Sequence, residues 1–170
     1  MTRFILIIFM FLIPLFSFAD SKNKGWVTGI YFTPGSDCQD QIINKIQNSK
    51  TIRAAVYSVN NDDIINALIT AKSHGADIVI LTDKLQSKSK YSGIPKLKAA
   101  GIPVFTNTGF KLEHNKFAVF DNNNVVTGSY NWTNPATDKN SENCIFITDA
   151  DQKYAERFQA LRNKYAYKKQ

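Results

Sequence analysis

Two short β-prone runs, separated by a polar turn, carry the side chains of this chain that could do phosphate chemistry. The runs KFAVF and VVTGS flank the sequence DNNN, which is typical of a hairpin turn. If the turn is centred within DNNN, His114 faces Asn131 and Lys116 faces Ser129 across the hairpin. Strand alternation would then direct all four side chains to one face of the sheet. An imidazole, a fixed cation and two neutral polar groups in one small volume suit the negative charge of a phosphodiester in transfer.

The elements around this hairpin predict an α/β fold, in which a single domain holds a mixed β-sheet flanked by helices on both faces. Strand and helix alternate in the first half of the chain, and strands cluster in the second half. Residues 78–81 are wholly apolar, as in a strand that is covered on both sides. The other predicted strands are residues 27–33, 52–59, 102–106 and 143–148, and the predicted helices are residues 38–49, 62–74, 94–100 and 151–166.

The fixed positions of the hairpin resemble the signature HxKxxxxDxxxxxxGSxN of the phospholipase D superfamily. Every specified position is matched, by His114, Lys116, Asp121, Gly128, Ser129 and Asn131. At average residue usages of roughly 5%, six such matches would coincide at about 10⁻⁸ per starting position. The segments YFTPGSDCQDQIINKIQNSKTIRAAVYSV and KNSEN are also similar to the short, single-motif bacterial members of this superfamily, the secreted or periplasmic Nuc-type endonucleases.

The resemblance implies a metal-independent phosphodiesterase that uses two histidines and a phosphohistidine intermediate. This chain has two histidines, His74 and His114. His74 ends a predicted helix just before Gly75, where an exposed position is expected. We therefore expect the second active histidine to come from another copy of the chain, in a homodimer with one shared active site. One His114 would attack phosphorus, and the partner's His114 would protonate the leaving oxygen.

The same resemblance assigns roles to the other motif residues. Lys116 and Asn131 would bind the nonbridging phosphate oxygens, and Ser129 would position this cluster. Glu142, in the segment KNSEN, would orient the imidazole. Asp121 would brace the turn. The resemblance implies no metal ion and no other cofactor.

The acidic residues outside the motif are interpreted as structural. Asp62 with Asp63, and Asp149 with Asp151, fall at predicted helix starts, where carboxylates stabilise the helix end. Glu113 is expected to be solvated, because strand alternation directs it away from His114. The clustered carboxylates that a two-metal nuclease requires are therefore not predicted.

Charge and composition favour an anionic substrate. The formal net charge is +7 and the sequence pI is about 9.4. Lys88 and Lys90, with Tyr91 beside them, could form a cationic wall with one stacking ring along a nucleic acid. A non-specific endonuclease is the leading hypothesis, because such contacts follow the backbone and carry little sequence information. A phospholipase D acting on lipid headgroups is the alternative, and an inactive module that binds nucleic acid or membrane is a weaker third interpretation.

Residues 1–19 have the pattern of a secretory signal peptide, with a positive start, an apolar run and small residues before a cut at Asp20. An uncleaved anchor is the alternative, although the apolar run is shorter than the roughly 20 residues that span a bilayer. Cleavage would leave residues 20–170 as a phospholipase D-like catalytic domain, periplasmic or secreted, with no integral membrane segment. Cys38 and Cys144 could pair in an oxidising compartment, but the sequence leaves the pairing open.

Overall fold

The computed structural model describes residues 25–150 and 152–167, which form seven strands and five α-helices. The strands are β1 (Trp26–Phe32), β2 (Thr51–Val56), β3 (Asp77–Thr82), β4 (Val104–Thr106), β5 (Lys116–Phe120), β6 (Asn124–Gly128) and β7 (Asn143–Thr148). The helices are α1 (Asp37–Gln47), α2 (Asp62–Ser73), α3 (Ile94–Ala99), α4 (Asn134–Asp138) and α5 (Lys153–Ala166). A 3₁₀ turn, Gln86–Lys88, precedes α3.

The strands form one mixed sheet in the order β1-β7-β6-β5-β2-β3-β4. β2, β3 and β4 run parallel to one another, because α2 and α3 return the chain to the same end of the sheet each time. All other neighbouring strands are antiparallel. The predicted fold class, a single domain around a mixed sheet, is confirmed.

Helices cover both faces of this sheet, as predicted. On one face, α1, α2 and α3 bury apolar side chains that include Ile42, Leu68 and Leu97 against the central strands. On the other face, α5 packs Phe158 and Leu161 against β2, β3 and β5. Burial on both faces explains why β2 and β3 lack the alternation of a half-exposed strand.

The β5–β6 hairpin is one residue away from the predicted register. Phe120 pairs with Asn124, so the loop has three residues rather than four, and Phe117 faces Thr127. Continued by one step, this pairing sets Lys116 opposite Gly128 and not opposite Ser129. The predicted opposition of the four polar side chains is therefore wrong. The physical reason is a tight turn at Asp121 and Asn122, whose φ angles are 48° and 71°.

A disulfide joins Cys38 of α1 to Cys144 of β7, with the Cα atoms 6.0 Å apart. The two residues are separated by 106 positions in the chain. The bond therefore ties the first helix to a strand that is added late in the sequence.

The predicted signal peptide, residues 1–19, lies outside the described residues. Within residues 25–150 and 152–167, no helix has the length and apolar character needed to cross a membrane.

Candidate active site

His114 lies in the loop directly ahead of β5, beside a cleft on the α5 face of the sheet. Its imidazole packs on the ring of Tyr57, with the ring centroids 4.7 Å apart and the planes tilted by 57°. Tyr57 follows β2, the strand next to β5, and its contribution was not predicted from the sequence. The cleft has a volume of about 340 Å³ and is lined by His114, Asn115, Lys116, Phe117, Thr127, Gly128, Lys153, Tyr154 and Arg157.

Lys116 is the first residue of β5 and shares the cleft with His114. Its Nζ donates a hydrogen bond of 2.8 Å to the backbone oxygen of His114 and lies 5.0 Å from the centroid of the Tyr57 ring. Burial lowers the pKa of Lys116, and the negative charges of Glu142 and then Glu113 oppose this effect. A partly desolvated cation beside an imidazole is suited to binding a phosphate oxygen.

Ser129 holds the end of β6 against the start of β7. Its Oγ accepts a 3.1 Å hydrogen bond from the backbone N–H of Asn143. The backbone N–H groups of Ser129 and Tyr130 both donate to the carbonyl oxygen of Asn143, at 3.1 and 3.2 Å. The hydroxyl thus fixes the segment that continues to Asn131.

Asn131 lies three residues beyond the end of β6 and is half-buried. Its buried Oδ1 has no hydrogen-bond partner among the described residues. An unsatisfied buried polar atom is uncommon in a folded protein, and a catalytic role is one reason for a protein to keep it. The side chain does not line the cleft that holds His114.

Glu142 directly precedes β7. Its backbone N–H donates a 2.9 Å hydrogen bond to the hydroxyl of Thr33, and its backbone oxygen accepts one of 3.1 Å from the Thr33 N–H. Within the described part of the chain, its carboxylate accepts a 3.0 Å hydrogen bond from Asn140 rather than from His114. Its charge nevertheless acts on Lys116, which places this carboxylate near the cleft. Its role in orienting the imidazole stays a prediction.

Asp121 lies at the opposite end of β5 from the cleft. Its Oδ1 accepts hydrogen bonds from the backbone N–H groups of Lys50 and Thr51, at 2.9 and 3.0 Å. Its own N–H donates to the oxygen of Thr51 at 3.0 Å. These contacts attach the hairpin turn to the start of β2, which is the bracing geometry that the sequence predicted for Asp121.

The lysine-rich stretch does not line the His114 cleft. Lys88 ends the 3₁₀ turn, and Lys90 and Tyr91 line a separate cleft together with Asn134 and Pro135. The Lys90 Nζ lies 4.8 Å from the centroid of the Tyr91 ring, which is largely exposed. Lys90 and Tyr91 thus line a cleft separate from that of His114, and their contact with nucleic acid stays a prediction.

The sequence analysis missed the cationic contribution of α5. Lys153 and Arg157 lie one helical turn apart on α5. Both are exposed, and both line the His114 cleft. Tyr154 packs edge-on against Phe117, with the ring centroids 5.3 Å apart, and also lines the cleft. The i, i+4 spacing of the two cations could be read from the sequence, but the sequence did not show which strands α5 covers.

Glu113 is buried rather than solvated, so the expectation for this residue was wrong. It is about 1% exposed, as is Asp83 at the end of β3. Residues 112–115 form a loop and not a strand, so the alternation that was expected to direct Glu113 outward does not apply.

His74 is exposed at the end of α2, as predicted, and lines a cleft separate from that of His114, together with Lys50. Among the described residues, no three histidine, cysteine, aspartate or glutamate side chains lie close enough to hold a metal ion. Metal independence remains a prediction about the reaction.

The mixed sheet, with a histidine just ahead of its central hairpin and a lysine at the first position of that hairpin, is typical of a phospholipase D-like protein. The chain belongs to the family described as cardiolipin synthase, PLD-like domain, whose model matches residues 42–162.

Named relatives fall in the same superfamily. Phospholipase D from Rickettsia bellii is 36% identical over 121 residues, which are 71% of this chain and 60% of that protein. Mitochondrial cardiolipin hydrolase from Xenopus tropicalis is 31% identical over 123 residues, which are 71% of this chain and 58% of that protein. The chain thus spans about 60% of the length of these curated relatives.

Two solved structures have the same fold over most of their length. Nuc from Salmonella typhimurium, a phospholipase D family member, is similar with a TM-score of 0.75 and 31% identity, covering 83% of this chain and 96% of that one. NucT from Helicobacter pylori has a TM-score of 0.76 at 22% identity, covering 83% of this chain and 98% of that one. The predicted superfamily is confirmed, and the phosphodiesterase class predicted from the motif agrees with these relatives.

Proposed function

We propose that the chain is a metal-independent phosphodiesterase that cleaves nucleic acid without sequence specificity, through a phosphohistidine intermediate. The observation that carries this proposal is that His114 and Lys116 line one cleft, which the cationic side chains Lys153 and Arg157 of α5 also line. A nucleophile, a phosphate-binding cation and further positive charge lie together there. A polyanionic backbone would enter such a cleft with favourable electrostatics.

In the proposed reaction, a ring nitrogen of one His114 forms a bond to phosphorus while the bond to the leaving oxygen breaks. The partner's His114, protonated, donates its proton to that oxygen. Water then attacks the phosphohistidine, and the partner's His114 accepts a proton from the water, so both imidazoles return to their starting states. Lys116 would bind the nonbridging oxygens from within the cleft as negative charge increases, and Asn131 would have to reach them from outside the cleft lining. Lys116 uses one of its three donors on the His114 oxygen and has others for phosphate.

A homodimer supplies the second imidazole in this proposal. The described surface supports it, because an apolar strip adjoins the cleft on the same face of the sheet. Ile30 pairs with Ile145, and Ile145 pairs with Thr127 of the cleft lining. Val27, Ile30 and Phe32 are 59%, 55% and 67% exposed. Apolar side chains exposed to this extent beside a site are typical of a surface that a partner covers.

Phospholipid is the second candidate substrate. The curated relatives are named phospholipase D and cardiolipin hydrolase, and the same motif chemistry would cleave a headgroup phosphodiester. Nucleic acid is favoured because Lys153 and Arg157 add positive charge to the cleft, which suits the row of phosphates along a nucleic-acid backbone. A non-catalytic binding module is the weakest candidate, since the motif is complete.

One assay distinguishes the three candidates. The purified protein in EDTA is given supercoiled plasmid or vesicles of phosphatidylcholine or cardiolipin. Plasmid nicking that His114→Ala abolishes and His74→Ala retains would support the nuclease. Headgroup release from vesicles without nicking would replace it with the lipase, and DNA retardation without cleavage would leave the binding module. A strict requirement for magnesium would overturn the proposed mechanism.

We also propose that the protein is exported and acts in the periplasm or outside the cell. The signal-like pattern of residues 1–19 and the disulfide between Cys38 and Cys144 support this location. Mass spectrometry of the protein from the periplasm of an expression host should give a chain that begins at Asp20. A chain retained in the membrane with residues 1–19 intact would favour the anchor instead.

A further inference from the structure

Two buried carboxylates lie beside the catalytic loop and have no place in the proposed reaction. Asp83 and Glu113 are each about 1% exposed. The Oδ2 of Asp83 accepts a 3.2 Å hydrogen bond from the backbone N–H of Glu113. The Oε2 of Glu113 accepts a short hydrogen bond from the hydroxyl of Tyr165, which lies near the end of α5. Three distant parts of the chain, at residues 83, 113 and 165, therefore meet next to His114.

These contacts fix the backbone on both sides of His114. The Oε1 of Glu113 accepts hydrogen bonds from the backbone N–H of Asn115 at 3.1 Å and from its side-chain Nδ2 at 2.7 Å. The oxygen of Asn115 accepts from the N–H of Tyr57 at 2.9 Å. Since residues 112–115 belong to no strand or helix, these bonds take the place of a regular ladder in holding the loop.

Asp83 extends the same network to the lysine-rich segment. Its Oδ1 accepts from the N–H groups of Leu85 and Gln86, at 2.9 and 3.2 Å, while its Oδ2 accepts from Glu113. One carboxylate thus positions both the turn that begins the lysine-rich segment and the loop that carries His114.

The charge of Glu113 also acts on the active site. Burying a carboxylate is costly unless donors satisfy it, and Glu113 has three donors, from Asn115 and Tyr165. Its negative charge raises the pKa of Lys116 against the larger effect of burial, in addition to the contribution of Glu142. A neutral side chain could fill the same space, but it would not stabilise the positive charge of Lys116.

We propose that Glu113 is a positioning residue of the active site, which fixes the loop of His114 through Asn115 and Tyr165 and supplies a buried negative charge to the cleft. The proposal rests on the phosphodiesterase activity proposed above. It concerns a residue outside the HxK…GSxN motif, and the substrate does not contact it.

Glu113→Gln is the principal test, because glutamine keeps the size of the side chain and an acceptor for Asn115 but removes the charge. We expect kcat to fall about 10- to 100-fold with KM little changed, because the nucleophile is misplaced rather than the substrate lost. We also expect the alkaline limb of the kcat/KM profile to move to lower pH. The sign follows because loss of a nearby negative charge lets the pKa of Lys116 fall further, so the cation is lost earlier as pH rises.

Matched variants separate the charge from the contacts. The other groups around Lys116 are Tyr57, Glu142, His114 and the α5 residues Lys153 and Arg157, and Glu113→Gln leaves all of them in place. Glu156→Gln removes the same charge from an exposed position on α5 and should leave both kcat and the pH profile unchanged. Tyr165→Phe removes one donor but keeps the Glu113 charge, so it should lower kcat and leave the alkaline limb in place.

A readout without substrate keeps this inference distinct from the proposed function. With two histidines in the chain, NMR spectra of the imidazoles report His114 directly, with His74 as the internal reference. Glu113→Gln, or Tyr165→Phe if the first variant does not fold, should shift or broaden the His114 signals and leave those of His74 unchanged. Unchanged His114 signals with native kcat and pH profile would overturn the role of Glu113. Altered signals in a chain without phosphodiesterase activity would support the positioning role and overturn the proposed function alone.

Discussion

At Gly128 the end of β6 approaches β7 so closely that a side chain has no room. A Cβ built on Gly128 would lie 2.2 Å from the backbone oxygen of Asn143, and the φ angle of +150° is one that other residues rarely adopt. The close approach allows the N–H groups of Ser129 and Tyr130 to share the Asn143 oxygen. Gly128 therefore belongs to the motif for a backbone reason, and Ser129 and Asn131 depend on it for their placement.

Gly128→Ala should lower the free energy of unfolding by roughly 2–5 kcal/mol, from backbone strain and overpacking together. Gly35→Ala is the matched control, because Gly35 has a φ of +133° with no atom within 4 Å of a built Cβ. That control should show only the strain, roughly 1–3 kcal/mol. Chemical denaturation followed by circular dichroism measures both. Equal losses for the two variants would contradict the close contact at Gly128.

The motif residues could be identified from spacing alone, but Glu113 could not. His114, Lys116, Ser129 and Asn131 occur at fixed intervals in one short segment, whereas the burial of Glu113 depends on two residues far away in sequence. Asp83 lies 30 positions before it and Tyr165 lies 52 positions after it. Local alternation carries no information about such partners, so it gave the wrong environment for this side chain.

At the scale of elements, most segments were predictable, including the six-residue α3, which was predicted to end one residue too late, whereas β2 was predicted to end three residues too late. The patterns for α1, α2, β3 and β7 gave bounds within two residues of those observed. The five-residue helix α4 was missed, because its signals are a capping Thr133 and an early Pro135 rather than a period. The predicted hairpin register was wrong because composition does not fix the number of residues in the turn. One residue more or less shifts the pairing by one position, so side chains that were predicted to face each other lie on opposite faces of the sheet.

The cationic side chains of α5 should contribute to substrate affinity. Arg157→Ala should weaken DNA binding and reduce the magnitude of the slope of log K against log salt by about 0.9, the value for one lost phosphate contact with duplex DNA. Lys50→Ala is the control, because Lys50 is exposed and lines the separate cleft of His74. Fluorescence anisotropy over a salt series, measured in the His114→Ala background, avoids cleavage. The same slope for both variants would exclude α5 as a contact surface.

The disulfide between α1 and β7 carries a prediction about stability. Replacing both Cys38 and Cys144 with serine should lower the free energy of unfolding by about 2–5 kcal/mol, because the unfolded chain gains the freedom of a long loop. Guanidinium denaturation of the native and double-serine proteins gives the difference, and the native protein in reductant should resemble the variant. A native protein whose denaturation midpoint does not respond to reductant would contradict a stabilising bond.

At the scale of the whole molecule, the two faces of the sheet are not equally covered. Helices α1 and α2 pack across one face, whereas α5 contacts β2 and β4 on the other and leaves the β1 end open. The open part carries Val27, Ile30 and Phe32 and is continuous with the cleft of His114 through β7. In the proposed homodimer, a second copy would lie on this strip and bring the two clefts, each with one motif histidine, towards each other.

Phe32→Lys tests this arrangement, because a charge placed on the apolar strip should weaken the proposed dimer about 100-fold or more. Trp26→Lys is the matched control: Trp26 lies on the same strand with similar exposure, but it pairs with Thr148 on the opposite face of the sheet. Sedimentation velocity should give a monomer for Phe32→Lys at concentrations where the native and Trp26→Lys proteins are dimers. Dilution should dissociate the dimer, and the nicking activity per chain should fall in proportion to the dimer fraction, since a single subunit lacks the second imidazole. A monomeric Phe32→Lys protein with full activity would exclude a shared site, and it would require the proton donor to lie within a single chain.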